Sequence, residues 1–526
     1  MRNLDRLIVR GGAVADGTGA PIEPTDVLIG GDLILEVGPP GAFDGLDAPV
    51  IEVAGQIVSP GFIDVHSHAD NAPFLEDDDT TKILQGVTTE VVGNCGFSLA
   101  PVAAGREQLI AQLNERLFPP LPTTWSSWSE LMSAADANGY VTNYAPLVGH
   151  NAVRIAAMGT ENRAASPDEI KTMCWLIDEA QEGGAFGLSS GLIYPPGVFS
   201  TTGELVALAA RLRSGRVYAT HMRDEGDDLS GSIAEAVEIG RRSGSRVQIS
   251  HLKVTGAANW GHIDDALAML DAARSAGVDV RQDAYPYEAS STMLASCLPA
   301  SFQSGTEDEV LARLDDHDQR ALIRRAFHGR AERGDGSWAS RVVIASTASH
   351  RNEGRTLAEI AAESGGDDVD ALCDVLVSER LRVSMIHFSM CEADVEAVLA
   401  HPVTMIGSDG LPPGVGGRPH PRLFGTFPRV LGRYVRDRKV MSLSEAIAKM
   451  TSLPADAFGL DKRGRIRPGE VADLVCFDPD RVIDGGDYTS AAHDPVGISW
   501  VMQAGELVVQ EGRWLGRRRG KRLAPR

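Results

Sequence analysis

The sequence is short of cysteine and of basic residues, and it lacks any long apolar run. Six cysteines in 526 residues lie far apart, without the paired spacing of a disulfide framework, so we expect reduced thiols and a cytoplasmic location. Met1–Gly11 begins an alternating pattern at once, which is unlike a signal peptide, and no segment is long enough to span a membrane. The cysteines are Cys95, Cys174, Cys297, Cys373, Cys391 and Cys476.

The deficit of positive charge bears on possible partners. The chain has 50 Lys and Arg against 72 Asp and Glu, a formal net charge of -22, which gives nucleic-acid or membrane binding no electrostatic support. The exception is the stretch 513–526, for which we predict a solvated tail, with contact to a neighbouring subunit as the alternative. Within it Arg517, Arg518, Arg519, Lys521 and Arg522 cluster after Trp514.

Length and pattern predict more than one structural unit. A chain of 526 residues exceeds one ordinary core. Short alternating segments separated by Gly, Pro and Asp turns fill residues 7–53 and return after Arg467, which is typical of small β-sheets. We therefore predict one composite β-sandwich built from both termini, with residues 1–58 as its first part and 463–526 as its second part and tail.

The middle of the chain alternates strands with helical patterns, which indicates βα units and a parallel sheet. Eight candidate strands can be counted, and this number favours a (β/α)8 TIM barrel over residues 59–462. The candidates are GFIDVHSH (61–68), TEVVGNC (89–95), YAPLVGH (144–150), AFGLSSG (185–191), VYATHM (217–222), VQISHLK (247–253), VRQDAYPY (280–287) and VTMIGSD (403–409).

The interval between the seventh and eighth candidate strands is unusually long. It contains the strand-like segments 341–346 and 383–389, which leaves the strand numbering there open. A long excursion at the carboxyl-terminal face of a barrel usually covers the active site, so we predict an inserted lid over about 288–340.

Six metal-binding side chains stand at the predicted carboxyl ends of these strands. His66 and His68 are two residues apart on the first strand, so both imidazoles project from the same side. An isolated His-x-His pair also occurs by chance, but the other donors lie at further strand ends, where barrel active sites are built. The pattern predicts a metal site formed by His66, His68, Cys95, His221, His251 and Asp409.

Longer motifs carry a family resemblance across nearly the whole chain. PGFIDVHSH, the strand-terminal His221 and His251, the SDG at 408–410 and the ending TSLPADAFGLDKRGRIRPGEVADLVCFDP resemble the amidohydrolase superfamily. Within that superfamily the chain is similar to the D-aminoacylases, the N-acyl-D-amino-acid deacylases. That similarity lies in the motifs GVTTEVVGNCGFSLAP, GLSSGLIYPPG, THMRDEG, ISHLK, DAYPY and HPRLFGTFPRVLGRYVR.

The resemblance implies a zinc enzyme with a cysteine ligand. Many cyclic-amide hydrolases of the superfamily use a carboxylated lysine on the fourth strand, but this sequence has Ser189 and Ser190 there. In the family that it resembles, Cys95 takes that ligand role, and a thiolate suits zinc. The implied tight zinc site consists of Cys95, His221 and His251. A second, weaker position would be surrounded by His66, His68 and Asp409.

The resemblance also implies roles in the reaction. Zinc activates water and polarises the scissile carbonyl, and Asp409 is expected to accept the proton and return it to the leaving amine. Lys253 faces the same side of its strand as His251. The residues implied to hold the substrate α-carboxylate are Lys253, Tyr285, Ser291 and Arg422.

Other polar residues are weaker candidates. Arg223, and Arg418 in the glycine-rich loop GLPPGVGGRP, are possible substrate contacts, and that loop is richer in glycine than expected for the family. His150 at the end of the third strand either orients substrate or is structural. His350 and His387 fall outside the ligand set.

The expected activity is zinc-dependent hydrolysis of a small-molecule N-acyl-D-amino acid to a D-amino acid and a carboxylate. The alternatives are dipeptides with a C-terminal D-residue and cyclic amides of the hydantoinase or dihydropyrimidinase kind, against which the missing lysine argues. A metal-free scaffold protein would have lost several ligands, whereas all six are retained. The side chain, the acyl group, the metal count and the oligomeric state stay open.

Overall fold

The computed structural model describes residues 6–121, 123–331, 338–412 and 414–525. Residues 1–5 of the predicted first segment, residues 332–337 of the predicted lid and Arg526 of the tail lie outside the described residues. Within the described part, strands and helices alternate through the middle of the chain, and shorter strands gather at both ends.

Eight parallel strands occupy the positions predicted for the barrel. Consecutive strands pair in parallel, with the third strand continued by Val148–Gly149. A parallel bridge between Ser67 and Gly410 joins the first strand to the eighth, and Asp409 N donates to His66 O at 2.7 Å. The predicted (β/α)8 barrel is thereby confirmed. Its strands are Phe62–Asp64, Val87–Val92, Asn143–Pro146, Gly187–Gly191, Val217–His221, Arg246–Ile249, Val280–Ala284 and Thr404–Ile406.

Helices with clear end signals surround the barrel. Pro167–Glu182 begins after Ser166, whose hydroxyl accepts from Glu169 N in a capping box, and Leu229–Ser243 ends at Gly244 with a φ of 72°. No described helix has both the length and the apolar character needed to cross a bilayer. The α-helices outside the lid are Glu107–Asn114, Trp128–Asn138, His150–Met158, Pro167–Glu182, Thr202–Ala209, Leu229–Ser243, Ile263–Ser275, Glu392–Ala400, Arg422–Arg429, Leu443–Met450 and Ser452–Phe458, and Val430–Asp437 is a π-helix.

Short 3₁₀ helices lie in several of the connections. They are Ala69–Phe74, Ile83–Gln85, Gly197–Phe199, Ala257–Asn259, Leu294–Cys297, Ala300–Gln303 and Trp338–Arg341.

Strands from both termini build the β-sandwich. The larger sheet is ordered Arg513–Trp514, Glu506–Gln510, Ile498–Gln503, Leu474–Phe477, Ile57–Pro60, Ala13–Val14 and Glu23–Pro24. The smaller sheet is ordered Leu33–Gly38, Asp26–Gly30, Arg6–Arg10 and Val50–Glu52. Buried Val27, Val58 and Trp500 belong to one apolar cluster between the sheets, so each terminus covers apolar surface of the other. The exact domain limits stay predictions.

The excursion after the seventh barrel strand forms its own small layer. Ser290–Met293, Val383–His387 and Val342–Thr347 make an antiparallel sheet in that order, so the two strand-like segments pair with each other and do not enter the barrel. A separate apolar cluster, including Leu314, Ile344 and Leu372, lies beneath. The layer extends well past the predicted 288–340. Its helices are Glu307–Asp315, His317–Ala331, Leu357–Ser364 and Asp368–Ser378.

The basic carboxyl-terminal stretch packs against the barrel of its own chain. Tyr144 N donates to Lys521 O at 3.0 Å, and Leu523 N donates to Tyr144 O at 2.8 Å. Leu523 is buried, and Arg522 forms an ion pair with Asp136 at 2.8 Å. The tail is therefore not free, because backbone pairing with the third strand and acidic partners anchor it, whereas Arg517, Arg518 and Lys521 remain exposed, as predicted.

Candidate metal centre and active site

The six predicted metal ligands meet in the mouth of the barrel. Each lies at or just after the carboxyl end of a strand: the first strand supplies two, and the second, fifth, sixth and eighth supply one each. All six side chains are buried, and none belongs to a residue more than 7% exposed. They are His66, His68, Cys95, His221, His251 and Asp409.

Four of these residues form a tight cluster. One donor atom each from His66, Cys95, His251 and Asp409 lies within 4.8 Å of the others. Cys95 Sγ is 3.3 Å from His66 Nε2 and 3.5 Å from His251 Nε2. Asp409 Oδ1 is 3.4 Å from His66 Nε2 and 3.2 Å from His68 Nε2. The two ligand groups implied by the resemblance therefore adjoin each other.

A second cluster brings in an acid that the sequence analysis missed. Glu225 lies with His221 and His251 within the same 4.8 Å limit. Its Oε1 is 2.9 Å from His251 Nδ1, and its Oε2 is 3.7 Å from His221 Nε2. The available signal was an acid four residues after His221, within the motif THMRDEG.

Backbone conformation aims three of the ligands into the mouth. Cys95, His251 and Asp409 have φ angles of 54°, 39° and 49°. Residues other than glycine rarely adopt this left-handed region, which costs about 1–3 kcal/mol and occurs mostly at functional sites. Each strand therefore turns sharply at its ligand, and the surrounding barrel maintains the turn.

Buried polar groups hold the ligands from below. Asp283 accepts from His251 N at 2.8 Å, and it lies 3.4 Å from His66 Nδ1. Asp64 accepts from His66 N at 3.1 Å and from Ser408 N at 2.8 Å. Ser408 directly precedes Asp409 in the chain. Asp64 and Asp283 together therefore fix the positions of ligands on the first, sixth and eighth strands.

The charges and the unpartnered atoms of the cluster fit a cation. Burial alone would raise the pKa of the Cys95 thiol, but the charge of His66 holds that pKa well below its ordinary value. Burial would lower the pKa of His68, yet its contact with Asp409 raises it to about 9. Both ring nitrogens of His221 are buried without a hydrogen-bond partner among the described residues. A metal cation can take the place of the protons that these side chains would otherwise carry. A ligand set of one thiolate sulfur and several imidazole nitrogens is suited to zinc.

A cavity of about 260 Å³ opens beside this cluster and is lined by Cys95, His221, His251 and Asp409. Lys253, Tyr285 and Ser291, three of the four predicted substrate contacts, also line it. The Tyr285 hydroxyl and Ser291 Oγ are buried without a partner among the described residues. Hydroxyl groups in this state can donate to a bound carboxylate.

Arg422, the fourth predicted substrate contact, is fully buried behind the cavity. Its Nη1 lies 2.9 Å from Asp409 Oδ2, its Nη2 donates to Ser291 O at 2.7 Å, and its guanidinium lies 4.7 Å from the Tyr285 ring centroid. Burial would raise the pKa of the Asp409 carboxyl, but the Arg422 charge holds it well below its ordinary value. Arg422 therefore keeps Asp409 ionised.

Two of the weaker candidates also face the cavity. Arg223 lines it, with Nε 2.9 Å from Glu235 Oε2 and Nη1 donating to Val198 O at 2.8 Å. His387 lines it from the central strand of the lid sheet.

The remaining candidates lie elsewhere. His150 is buried, and its Nε2 is 2.9 Å from Glu204 Oε1, which indicates a structural role. Arg418 N donates to Ala345 O at 2.7 Å, so its loop is tied to the lid sheet. His350 is exposed.

The fourth strand offers hydroxyls in place of a lysine. Ser190 Oγ donates to Thr220 Oγ1 at 2.9 Å, and Gly96 N donates to Ser189 Oγ at 3.0 Å. Both serines are buried in contacts between neighbouring elements, so the position offers structural support and no carboxylated ligand.

A buried donor cluster at the carboxyl ends of a (β/α)8 barrel that carries a β-sandwich defines a metal-dependent hydrolase. The chain belongs to the amidohydrolase family, whose sequence profile matches residues 50–509. It is 38% identical to the D-aminoacylase of Alcaligenes xylosoxydans xylosoxydans over 98% of this chain and 97% of that protein. It is 36% identical to the N-acyl-D-aspartate deacylase of that organism over 99% and 95%.

A solved structure agrees with this similarity. The N-acyl-D-glutamate deacylase of Bordetella bronchiseptica, complexed with zinc and a phosphonate inhibitor that mimics the tetrahedral intermediate, superposes with a TM-score of 0.82. It is 35% identical, and the match covers 99% of each chain. The resemblance to the D-aminoacylases inferred from the motifs is confirmed.

Proposed function

We propose that the chain hydrolyses N-acyl-D-amino acids to a D-amino acid and a carboxylate, with zinc bound in the barrel mouth. One observation carries the proposal: the buried cluster of Cys95, His66, His251 and Asp409 opens on a cavity whose wall presents the unpartnered Tyr285 and Ser291 hydroxyls. Full-length similarity to deacylases of three different N-acyl-D-amino acid classes supports the bond that is cleaved. A cytoplasmic location stays part of the proposal.

The proposed ligands of the tight site are Cys95, His221 and His251, and His66, His68 and Asp409 surround a second, weaker position. When bound, zinc supplies an activated water and polarises the scissile carbonyl. The chain's own part is to exclude bulk solvent, since all of these side chains are buried, and to present neutral imidazole and thiolate donors.

Asp409 is the proposed proton carrier. Arg422 keeps its carboxylate ionised, so it can accept a proton from the attacking water. The amide nitrogen leaves poorly as an anion, and the same carboxyl group can return the proton to it. The contact at 2.9 Å with Arg422 Nη1 also fixes the orientation of the Asp409 side chain.

The proposed contacts of the substrate α-carboxylate are Lys253, Tyr285 and Ser291, with Arg422 behind them. Lys253 Nζ is already 2.6 Å from Glu225 Oε1, but an ammonium group has three donors and can bind a second carboxylate. Arg422 donates to the Ser291 backbone carbonyl and lies over the Tyr285 ring. It therefore acts on the substrate by positioning these two residues.

The test is the release of free amino acid from paired N-acetyl-D- and N-acetyl-L-amino acids by zinc-loaded protein. We expect the D series to be favoured by about 100-fold or more in kcat/KM, because the L enantiomer cannot place both its carboxylate and its carbonyl correctly. Protein that holds zinc tightly but turns over neither series would overturn the proposed substrate. Dipeptides with a C-terminal D-residue and cyclic amides would then be the next substrates to assay.

A further inference from the structure

Glu225 contacts two groups that the proposed function needs, although it takes no part in the proposed proton transfers. It lies in the loop after the fifth barrel strand and has an 11% exposed side chain. Its Oε1 is 2.9 Å from Nδ1 of His251 and 2.6 Å from Nζ of Lys253. One carboxylate oxygen therefore joins a proposed metal ligand to a proposed substrate contact.

The two nitrogens of His251 face different partners. Nε2 faces the metal cluster, 3.5 Å from Cys95 Sγ, and must have a free lone pair to bind a cation. The ring hydrogen then has to lie on Nδ1, which requires an acceptor. Glu225 Oε1 is an acceptor. Lys253 Nζ, 2.6 Å from the same Nδ1, can only donate.

We propose that Glu225 is a positioning residue that selects the metal-binding tautomer of His251. It accepts the Nδ1 hydrogen and binds the Lys253 ammonium group, which has to give up its 2.6 Å approach to Nδ1 when that nitrogen carries the ring hydrogen. Without Glu225, Lys253 would donate to Nδ1, and the ring hydrogen would move to Nε2, where it blocks metal binding. The proposal rests on the proposed zinc site but not on the identity of the substrate.

The decisive variants are Glu225→Met, which removes the acceptor at nearly constant length, and Glu225→Gln, which keeps an acceptor oxygen without the charge. Zinc affinity is measured by chelator competition. We expect Glu225→Met to weaken zinc binding about 10–100-fold, as loss of a carboxylate that orients a metal-binding histidine does, and Glu225→Gln to recover part of that loss. Glu235→Gln, which alters the acid beside Arg223, is the matched control and should bind zinc like the parent protein.

A double variant separates tautomer control from general disruption. If Lys253 imposes the wrong tautomer when Glu225 is absent, Glu225→Met with Lys253→Met should bind zinc more tightly than Glu225→Met alone. Unfolding midpoints of the metal-free proteins check that each variant folds. Parental zinc affinity in folded Glu225→Met, or no recovery in the double variant, would overturn the proposal. Neither measurement depends on turnover, so failure of the proposed substrate would leave this test intact.

A different observation concerns the charge of the substrate side chain: the cations around the cavity are already paired with carboxylates. Arg223 lies 2.9 Å from Glu235, Lys253 lies 2.6 Å from Glu225, and Arg422 lies 2.9 Å from Asp409. The wall also contains Asp224. A divalent ion held by the Cys95 thiolate would add one net positive charge, which the Asp224 carboxylate balances, so no positive charge is left over for a second substrate carboxylate.

The lid side of the cavity is neutral or weakly basic. Its residues present hydroxyls, a thioether and one imidazole, and no lysine or arginine of the lid is among the described lining residues. They are Ser290, Ser291, Thr292, Ser296, Met385, His387 and Ser389. A second substrate carboxylate would be desolvated here opposite hydroxyls, which is costly without a counter-ion.

From the paired cations and the hydroxyl-rich lid side of the cavity we infer that the enzyme prefers N-acyl-D-amino acids with neutral side chains over those of D-aspartate and D-glutamate. The inference rests on the proposed function and narrows its substrate class. Sequence identity does not decide the matter, because relatives named for D-aspartate and D-glutamate substrates are 36% and 35% identical to this chain. The paired cations and the hydroxyl-rich lid carry the inference.

D-glutamine and D-glutamate derivatives differ in side-chain charge at equal size, so they provide the test. We expect N-acetyl-D-glutamine to exceed N-acetyl-D-glutamate about 100-fold in kcat/KM, and D-glutamine to bind at least about 10-fold tighter than D-glutamate in calorimetry. Ser296→Lys, which adds a cation at a half-buried lid position, should narrow both ratios, whereas Ser296→Met should leave them unchanged. An equal or reversed ranking in binding overturns the inference. The expected binding ranking without turnover would instead overturn the proposed function alone.

Discussion

Asp409→Asn is expected to lower kcat by about 10²–10⁴-fold, the usual contribution of a positioned acid–base group. Asparagine keeps the shape of the side chain and can still face His68 and Arg422, now 3.2 Å and 2.9 Å from the carboxylate oxygens. It cannot take a proton from water and pass it to the amine. The loss should therefore fall on kcat more than on KM. Steady-state kinetics with N-acetyl-D-amino acids measure it.

The control for Asp409→Asn is its zinc content at the tight site. Cys95, His221 and His251 are intact in the variant, so it should retain one tightly bound zinc and an unfolding midpoint close to that of the parent protein. A variant that holds zinc, folds and still turns over at a rate near that of the parent would show that another group carries the proton.

The strand and ligand positions could be predicted because they follow from local rules. The two-residue period of a strand and the gathering of parallel strand ends at one face are enough to place His66, Cys95 and Asp409 together. The same period placed Lys253 on the side of His251, and its Nζ lies 2.6 Å from His251 Nδ1.

Contacts set by loops and by chain ends could not be predicted. Glu225 reaches His251 because the loop after the fifth strand folds over the mouth of the barrel. The strand and helix periods of the sequence do not predict that contact. Arg422 contacts Asp409 from a helix that begins at Arg422 itself, whereas the resemblance implied a contact with the substrate carboxylate. The carboxyl-terminal stretch looks like a solvated tail by charge, but it is held by backbone bonds to Tyr144, which no composition reveals.

The lid shows why a strand-like sequence pattern does not reveal which sheet the strand joins. Residues 341–346 have the alternation of a barrel strand, but Val342–Thr347 pairs antiparallel with Val383–His387. Partner choice depends on which edges are free, and the bridge between Ser67 and Gly410 already joins the first and eighth strands of the barrel. The two extra strands pair with each other and not with the barrel, and Val383–His387 also pairs with Ser290–Met293 and contributes Met385 and His387 to the wall of the cavity.

Cys95→Ser is expected to weaken zinc binding by about 100-fold or more and to abolish turnover at substoichiometric zinc. The Cys95 thiol is held in its charged form, 3.3 Å and 3.5 Å from two imidazole nitrogens, and a serine hydroxyl in this buried position is a much weaker donor to zinc. Loss of an orienting neighbour alone costs about 10–100-fold in affinity, so loss of a ligand should cost at least as much. Chelator competition and metal analysis measure the change.

Cys174→Ser is the matched control, because it makes the same substitution at a half-buried thiol whose Sγ lies 3.9 Å from Ala207 O, away from the metal cluster. It should bind zinc like the parent protein. Parental affinity in Cys95→Ser would mean that the imidazoles and Asp409 hold the metal without sulfur. The tight site would then centre on His66, His68 and Asp409, and the resemblance would have assigned the two positions in the wrong order.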